Sequence, residues 1–209
     1  MIRFICVLLL AGPYLLPLPT RAQSIKPEVI RTASGATVVF NTIDSFFAAD
    51  VVGENIQPAP GTNGYFQVDN RLVRMTNTPD KKVLPGAGSR VLLPKEILQT
   101  QFRLDLKEEE FLLQRPIQGT QQEVLTLPKG RVLLHWWFAL PSGTPGGATQ
   151  RHYISTVCNR EVFTVCAPLL PTDSAEALRA FLLEIMGTVR ESDDPINVKE
   201  YAKELKKDK

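Results

Sequence analysis

The sequence predicts a single α+β domain in which an antiparallel β-sheet is flanked by α-helices. Two observations support this class. Short runs rich in β-branched and aromatic residues are joined by two-residue turns, which is typical of antiparallel hairpins. Two other segments, beginning at Pro94 and near Ser174, repeat apolar residues every three or four positions, as amphipathic helices do. We expect residues 35–191 to form this domain.

The first 22 residues have the pattern of a signal peptide. Arg3 precedes an almost wholly apolar run over residues 4–18, and Thr20-Arg21-Ala22 places small residues where signal peptidase reads them. The run is about 15 residues long, whereas a membrane-spanning helix needs about 20. We therefore expect cleavage after Ala22 and a soluble product in the periplasm or outside the cell. No Asn-x-Ser/Thr sequon occurs, which favours a bacterial protein over a glycosylated eukaryotic one.

Charge argues against a polyanionic partner. Removing the leader leaves 187 of the 209 residues and takes Arg3 and Arg21 away, so the formal net charge of +2 falls to zero. Charges of both signs are scattered, and no block of five like charges occurs. We expect no nucleic-acid partner and no integral membrane segment after signal removal. The expected partner is another exported or envelope protein.

The N-terminal half of the mature chain is interpreted as follows. Residues 23–34 are polar and irregular, and predict a flexible segment. Ala36 opens a β-rich run, and residues 41–55 fit a short helix, although a strand or a loop also fits them. Residues 65–75 predict a hairpin about Asp69-Asn70, because these two residue types tolerate the positive φ angles of a two-residue turn.

The next elements are a helix and three strands. The helix is predicted from Pro94 to about Lys107, and the run Glu108-Glu109-Glu110 is interpreted as solvated. Strands are expected over residues 110–114, 122–127 and 131–140. The last is apolar on both faces, which indicates a central strand covered on both sides. Its return partner begins near His152, after the Gly-rich loop 141–147.

Two thiols remain in the mature chain, Cys158 and Cys166. A hairpin about Asn159-Arg160 pairs Cys158 with Glu161 and Cys166 with Tyr153. The thiols then lie about 17 Å apart along the ladder, whereas a disulfide requires Cα atoms within about 7 Å. We expect two free, partly buried thiols and no disulfide.

The chain ends in two further predicted elements. Asp173 or Ser174 caps a helix whose apolar stripe runs from Leu178 to Val189. Residues 192–209 are mostly charged and predict a peripheral helix or tail.

Catalytic and cofactor motifs are missing from the sequence, so we expect no enzyme, no cofactor and no metal site. The two histidines, His135 and His152, are expected about 13 Å apart, because a simple hairpin places His135 opposite Thr156 and His152 opposite Ala139. An aromatic concentration on these strands is either sheet core or a ligand or partner surface. That candidate surface comprises His135, Trp136, Trp137, Phe138, His152 and Tyr153.

The order of elements over residues 94–190 is similar to that of the PsbP/Mog1-like α/β/α sandwich family, particularly its exported bacterial members of unknown function. The resemblance rests on the run from Arg151 to Thr156, the hairpin at Cys158-Asn159-Arg160-Glu161 and the helical stripe from Leu178 to Val189. It implies a binding role rather than catalysis. The leading expectation is an exported, non-catalytic domain that binds protein or assists assembly. A carrier or sensor of a small apolar ligand is the second, and a hydrolase with His135 or His152 as its base is the third.

Overall fold

The computed structural model describes residues 27–43, 45–59, 64–83 and 93–207. The predicted signal peptide and its cleavage site after Ala22 lie outside the described residues.

The described residues form eleven strands and four helices. The strands are β1 Glu28–Arg31, β2 Gly35–Asn41, β3 Phe46–Val52, β4 Ile56–Pro58, β5 Tyr65–Val68, β6 Arg71–Pro79, β7 Gln121–Thr126, β8 Val132–Ala139, β9 Gln150–Cys158, β10 Glu161–Leu169 and β11 Arg190–Ser192. The helices are α1 Asp80–Val83, α2 Pro94–Leu113, α3 Ala175–Gly187 and α4 Val198–Lys207.

Two antiparallel sheets are present. The larger has seven strands in the order β4-β5-β6-β10-β9-β8-β7, and the smaller has four in the order β1-β2-β3-β11. This confirms the predicted α+β class, although the sequence patterns predicted one sheet rather than two. The strand β8, predicted to be central, lies one position from the edge and is largely buried beside β7.

The sheets and helices stack in layers. α2 covers one face of the seven-stranded sheet, and the four-stranded sheet together with α3 covers the other. Phe40 and Phe47 of the smaller sheet pack on Phe163 of the larger, with ring centroids 5.2 and 5.1 Å from it. α4 packs its few apolar residues on the outer face of the smaller sheet. Apolar burial between these layers is the main stabilising contribution to the fold.

Both predicted two-residue hairpins are present. Val68 pairs with Arg71, and Glu161 pairs with Cys158. Cys166 lies opposite Tyr153 as predicted, and both Cys158 and Cys166 are free and buried. Burial raises the pKa of Cys158 to about 12 and that of Cys166 to about 11, so both thiols are protonated at neutral pH.

The N-terminal predictions were partly wrong. Residues 28–31, expected to be irregular, form β1 by pairing with β2. The short helix considered for residues 41–55 is instead β3, which pairs with β2 on one side and β11 on the other. The core between the sheets buries every second residue of β3, namely Phe47, Ala49 and Val51. This two-residue period is that of a strand, and its burial decides the structure over the helical spacing of other apolar residues.

The strand expected at residues 110–114 was also wrong, because α2 continues to Leu113. Gln114 ends the helix in the left-handed region at φ 54°, and its backbone N–H donates to carbonyls of the last turn. In contrast, α3 follows the prediction: Ser174 is its N-cap and accepts a hydrogen bond from Ala177 N at 3.0 Å.

Candidate functional site

His135 and His152 are hydrogen-bonded neighbours, contrary to the separation of about 13 Å predicted from the sequence. His135 Nε2 lies 3.1 Å from His152 Nδ1. The register of β8 with β9 is displaced by two residues from the predicted one, so that His135 pairs with Ile154 and Trp137 with His152. The long connection between these strands does not fix their register as a two-residue turn does. With this displacement the two histidines become diagonal neighbours on adjacent strands, with both imidazoles on the same face of the sheet.

The histidines belong to a longer hydrogen-bond network that joins side chains of β7, β8, β9 and α3. Glu123 of β7 accepts from His135 Nδ1 at 2.8 Å and from Arg179 Nε of α3 at 2.7 Å. At the other end, His152 Nε2 lies 2.9 Å from Gln150 Oε1. Burial and the Arg179 hydrogen bond act in opposite directions on Glu123, and the hydrogen bond dominates, which lowers the pKa of this carboxyl. An ionised Glu123 can only accept, so His135 Nδ1 carries a proton.

The number of protons on the two histidines depends on which way the Gln150 side-chain amide is oriented. With Nδ1 of His135 protonated, a neutral His135 accepts at Nε2, and His152 then donates from Nδ1. The remaining nitrogen, His152 Nε2, is an acceptor in the neutral pair and requires the Gln150 N–H. When Gln150 Oε1 faces it instead, His152 Nε2 must carry a proton and the pair holds one positive charge.

Burial favours the neutral form of the histidine pair. Desolvation lowers the pKa of His135, although Glu123 opposes the shift, and it lowers the pKa of His152 to about 4. Both rings are buried, and all four ring nitrogens have hydrogen-bond partners. The arrangement presents no free ring nitrogen to a substrate.

The six residues of the candidate ligand or partner surface lie on two different faces of the sheet. Trp136, Phe138 and Tyr153 pack beneath α2, and the Trp136 and Tyr153 rings stack with centroids 4.1 Å apart. His135 and His152 lie on the opposite face, stacked with Trp137. All except Trp137 are buried, so the six do not form a common exposed surface.

A second polar cluster, which the sequence patterns did not predict, lies beneath α2. Glu109 is only 1% exposed, whereas the sequence interpretation placed it in a solvated run. Its carboxylate accepts from Arg151 Nη1 at 2.6 Å and from the Tyr153 hydroxyl. Burial, with Glu109 close by, raises the pKa of Tyr153 well above its ordinary value, which keeps this phenol a hydrogen-bond donor. The burial of Glu109 could have been predicted from a longer helix, because residues seven positions apart share a helix face and Phe102 is buried.

Open depressions on the described part of the surface lie away from both clusters. One is lined by Ser34, Glu54, Asn55 and Asp69 among others, and another by residues around Asn159 and Asp193. Within the described ranges, no group of three or more His, Cys, Asp or Glu side chains could hold a metal ion. No helix in the same ranges is long and apolar enough to cross a membrane.

The outer face of α2 carries large apolar side chains in solvent. Phe111 is 64% exposed and Leu104 is 40% exposed, and their spacing of seven residues places them on one face of the helix. Lys107 lies between them, and Arg103 borders them one turn earlier; both are exposed, and neither forms an ion pair with a described residue. We refer to Arg103, Leu104, Lys107 and Phe111 as the α2 outer face.

No family model matches this chain, and no curated protein matches it either. The resemblance to the PsbP/Mog1-like family stays a prediction.

Proposed function

We propose that this chain is an exported, non-catalytic protein that binds another protein through the α2 outer face. The observation that carries the proposal is Phe111, a large aromatic side chain left 64% exposed on a helix whose other face is buried. Phenylalanine and arginine are among the residues enriched at protein–protein interfaces relative to the rest of the surface. Export rests on the pattern of residues 1–22 described above.

The charges on this face indicate the chemistry of the partner. Arg103 and Lys107 flank the apolar pair, whereas Glu108, on the neighbouring side of the helix, is held at 3.0 Å by Arg74. An approaching protein surface therefore meets an apolar centre beside two cations that form no ion pair with the residues that the structure describes. The complementary surface is apolar at its centre and carries Asp or Glu at its rim. A protein is favoured over a lipid surface because the formal net charge expected for the exported chain is zero and the basic residues form no block.

The test is site-specific photo-crosslinking in cells that make the protein naturally. A benzophenone amino acid replaces Phe111 in one variant and Ile43 in a matched control. Ile43 is 79% exposed and precedes β3, away from α2. We expect a protein adduct of one defined mass from position 111 and none of that mass from position 43.

Charge reversal shows whether the adduct depends on complementarity. The double variant Arg103→Glu and Lys107→Glu, combined with the crosslinker at position 111, is expected to reduce adduct yield by about tenfold or more. Equal adducts at both positions, an adduct of lipid mass, or no adduct at position 111 would each contradict the proposal.

The other two expectations have weaker support. A carrier of an apolar ligand needs an apolar cavity, and the aromatic strands that suggested one are packed against α2 and the smaller sheet. A hydrolase needs a base within reach of a substrate. The nitrogens of His135 and His152 are already engaged with one another, Glu123 and Gln150.

A further inference from the structure

The strand β7 forms one edge of the larger sheet. It is the last strand in that sheet, and among the residues that the structure describes none pairs with its outer side. Its sequence, Gln121-Gln122-Glu123-Val124-Leu125-Thr126, contains no proline, glycine or lysine. Val124 is 44% exposed on the same sheet face as α2. An edge strand of this length and composition is open to pairing with another strand.

The three other sheet edges carry features that oppose strand addition. β4 has only three residues and ends in Pro58, which has no N–H to donate. β11 also has three residues and begins with Arg190 and Glu191. β1 has four residues with charged ends and is contacted by α4. Short edges, proline and charge are the ordinary means of blocking edge-to-edge association, and β7 has none of these three features apart from Glu123.

Glu123 does not block the edge because its charge is already compensated. It points to the sheet face opposite Val124, where Arg179 and His135 hold it. The approach to β7 along the sheet plane is therefore free of an uncompensated charge from this strand.

We propose that β7 pairs with β7 of a second copy of the chain, in antiparallel register centred on Val124. In this register Val124 faces Val124 of the second copy, and Glu123 lies opposite Leu125. A register centred on Glu123 would instead place two carboxylates opposite each other, which is destabilising. The result is a two-fold symmetric dimer with a continuous fourteen-stranded sheet, twice the seven strands of one copy.

A second copy fits this edge better than an unrelated extended peptide does. Domains that capture a peptide strand read its alternate side chains in pockets beside the edge strand. The two open depressions described above are lined by residues outside β7 and its neighbour β8. A second copy needs no such pocket, and the formal net charge of zero expected for the exported chain imposes little repulsion between copies. This dimer does not use the α2 outer face, so it can fail without the proposed function failing.

The first experiment measures the mass of the purified exported chain by sedimentation velocity between about 1 and 100 µM. We expect a dimer for the wild type and for the control Val52→Lys, whose side chain is 47% exposed on the other sheet. Val124→Lys places two ammonium groups face to face at the two-fold axis and should weaken the dimer about tenfold or more. A wild-type monomer throughout this range, or a Val124→Lys dimer of unchanged affinity, would overturn the proposal.

The second experiment tests the register and does not depend on the folding of the lysine variant. Directly opposite residues have Cα atoms about 4.5–5.5 Å apart, within the range of a disulfide. With oxidised glutathione, Val124→Cys should form a disulfide-linked dimer and Gln122→Cys should not. A mixture of Gln122→Cys and Thr126→Cys chains should crosslink. The wild type, with its buried thiols, is run in parallel and should stay unlinked. A crosslink from Gln122→Cys alone, or none from Val124→Cys, would exclude this register.

Discussion

At the scale of single residues, Asp105 of α2 has a carboxyl group with one buried oxygen that lacks a hydrogen-bond partner. Its Oδ1 accepts from Gln101 Nε2 at 2.7 Å, while its Oδ2 and Gln101 Oε1 are both buried without a hydrogen-bond partner. Burial raises the pKa of Asp105 to about 7, although Gln101 and Arg74 act against the shift. A buried carboxylate with one hydrogen-bond donor is poorly compensated, which favours the neutral acid.

The replacement Asp105→Asn should therefore stabilise the fold above pH 7. The folded-state pKa lies above the ordinary value of 3.8, so the carboxyl lowers the free energy of unfolding as pH rises from about 4 to 7. Asparagine is uncharged and keeps both a donor and an acceptor. We expect Asp105→Asn to exceed the wild type by about 4 kcal/mol at pH 8 and by little near pH 4, because a shift of about 3 pKa units corresponds to that energy.

Urea unfolding at pH 8 and near pH 4 measures this difference. Glu184→Gln, which replaces an exposed carboxyl of α3, is the control and should show no pH-dependent gain. A pH-independent difference for Asp105→Asn would mean that the carboxyl titrates normally.

At the scale of elements, Glu109 is a polar anchor that holds α2 on β9. Its carboxylate lies within hydrogen-bond distance of Arg151 and Tyr153, whereas the adjacent Glu108 forms only an exposed ion pair with Arg74. Removing one partner of a buried pair leaves the other charge uncompensated. We expect Glu109→Gln to lower the free energy of unfolding by about 2 kcal/mol and Glu108→Gln by less than about 1 kcal/mol.

The unfolding midpoint in urea, with near-ultraviolet circular dichroism as the probe, reports this anchor because Trp136 and Tyr153 stack beneath the same helix. Equal losses for the two glutamates would show that Glu109 does not act as a buried charge.

Local sequence determines the elements more completely than it determines their registers. The Asn159-Arg160 turn allowed the β9–β10 register to be predicted residue by residue, since a two-residue loop leaves one pairing. The β8–β9 loop is longer, and the prediction there missed by two residues. The second sheet was missed because β1 and β11 are short strands, whose pairing depends on contacts with distant segments rather than on local pattern.

The same distinction applies to the site. Each histidine was identifiable from the sequence as a candidate base, but their contact depends on the β8–β9 register. Arg179 reaches Glu123 from a helix 56 positions further along the chain, so no local spacing predicts this ion pair. The exposed Phe111 was assigned to a strand because the extension of α2 past Lys107 was not predicted.

At the scale of the whole molecule, Asp105 and the histidine pair make opposite contributions to the pH dependence of stability. The pKa of His152 in the folded protein, about 4, lies below the ordinary 6.5. The unfolded chain therefore binds the proton more readily, and the contribution is fully present above about pH 6.5 and lost as pH falls toward 4. Over the same interval the Asp105 contribution grows as pH falls. The pH dependence of the wild-type free energy of unfolding therefore reflects the histidine contribution minus the opposing Asp105 contribution.

Separating these contributions requires variants on both sides of the larger sheet. In an Asp105→Asn background, we expect the free energy of unfolding to fall by roughly 3 kcal/mol between pH 6.5 and 4, because a shift of about 2.5 pKa units corresponds to that energy. Adding His152→Gln should remove most of this slope, even if it lowers stability at every pH by disrupting the bond to His135. The chain has only two histidines, so adding His135→Gln as well removes the last imidazole that could titrate. The measurement is urea unfolding at half-unit pH intervals, and an unchanged slope after both replacements would show that the pair is not buried in its neutral form.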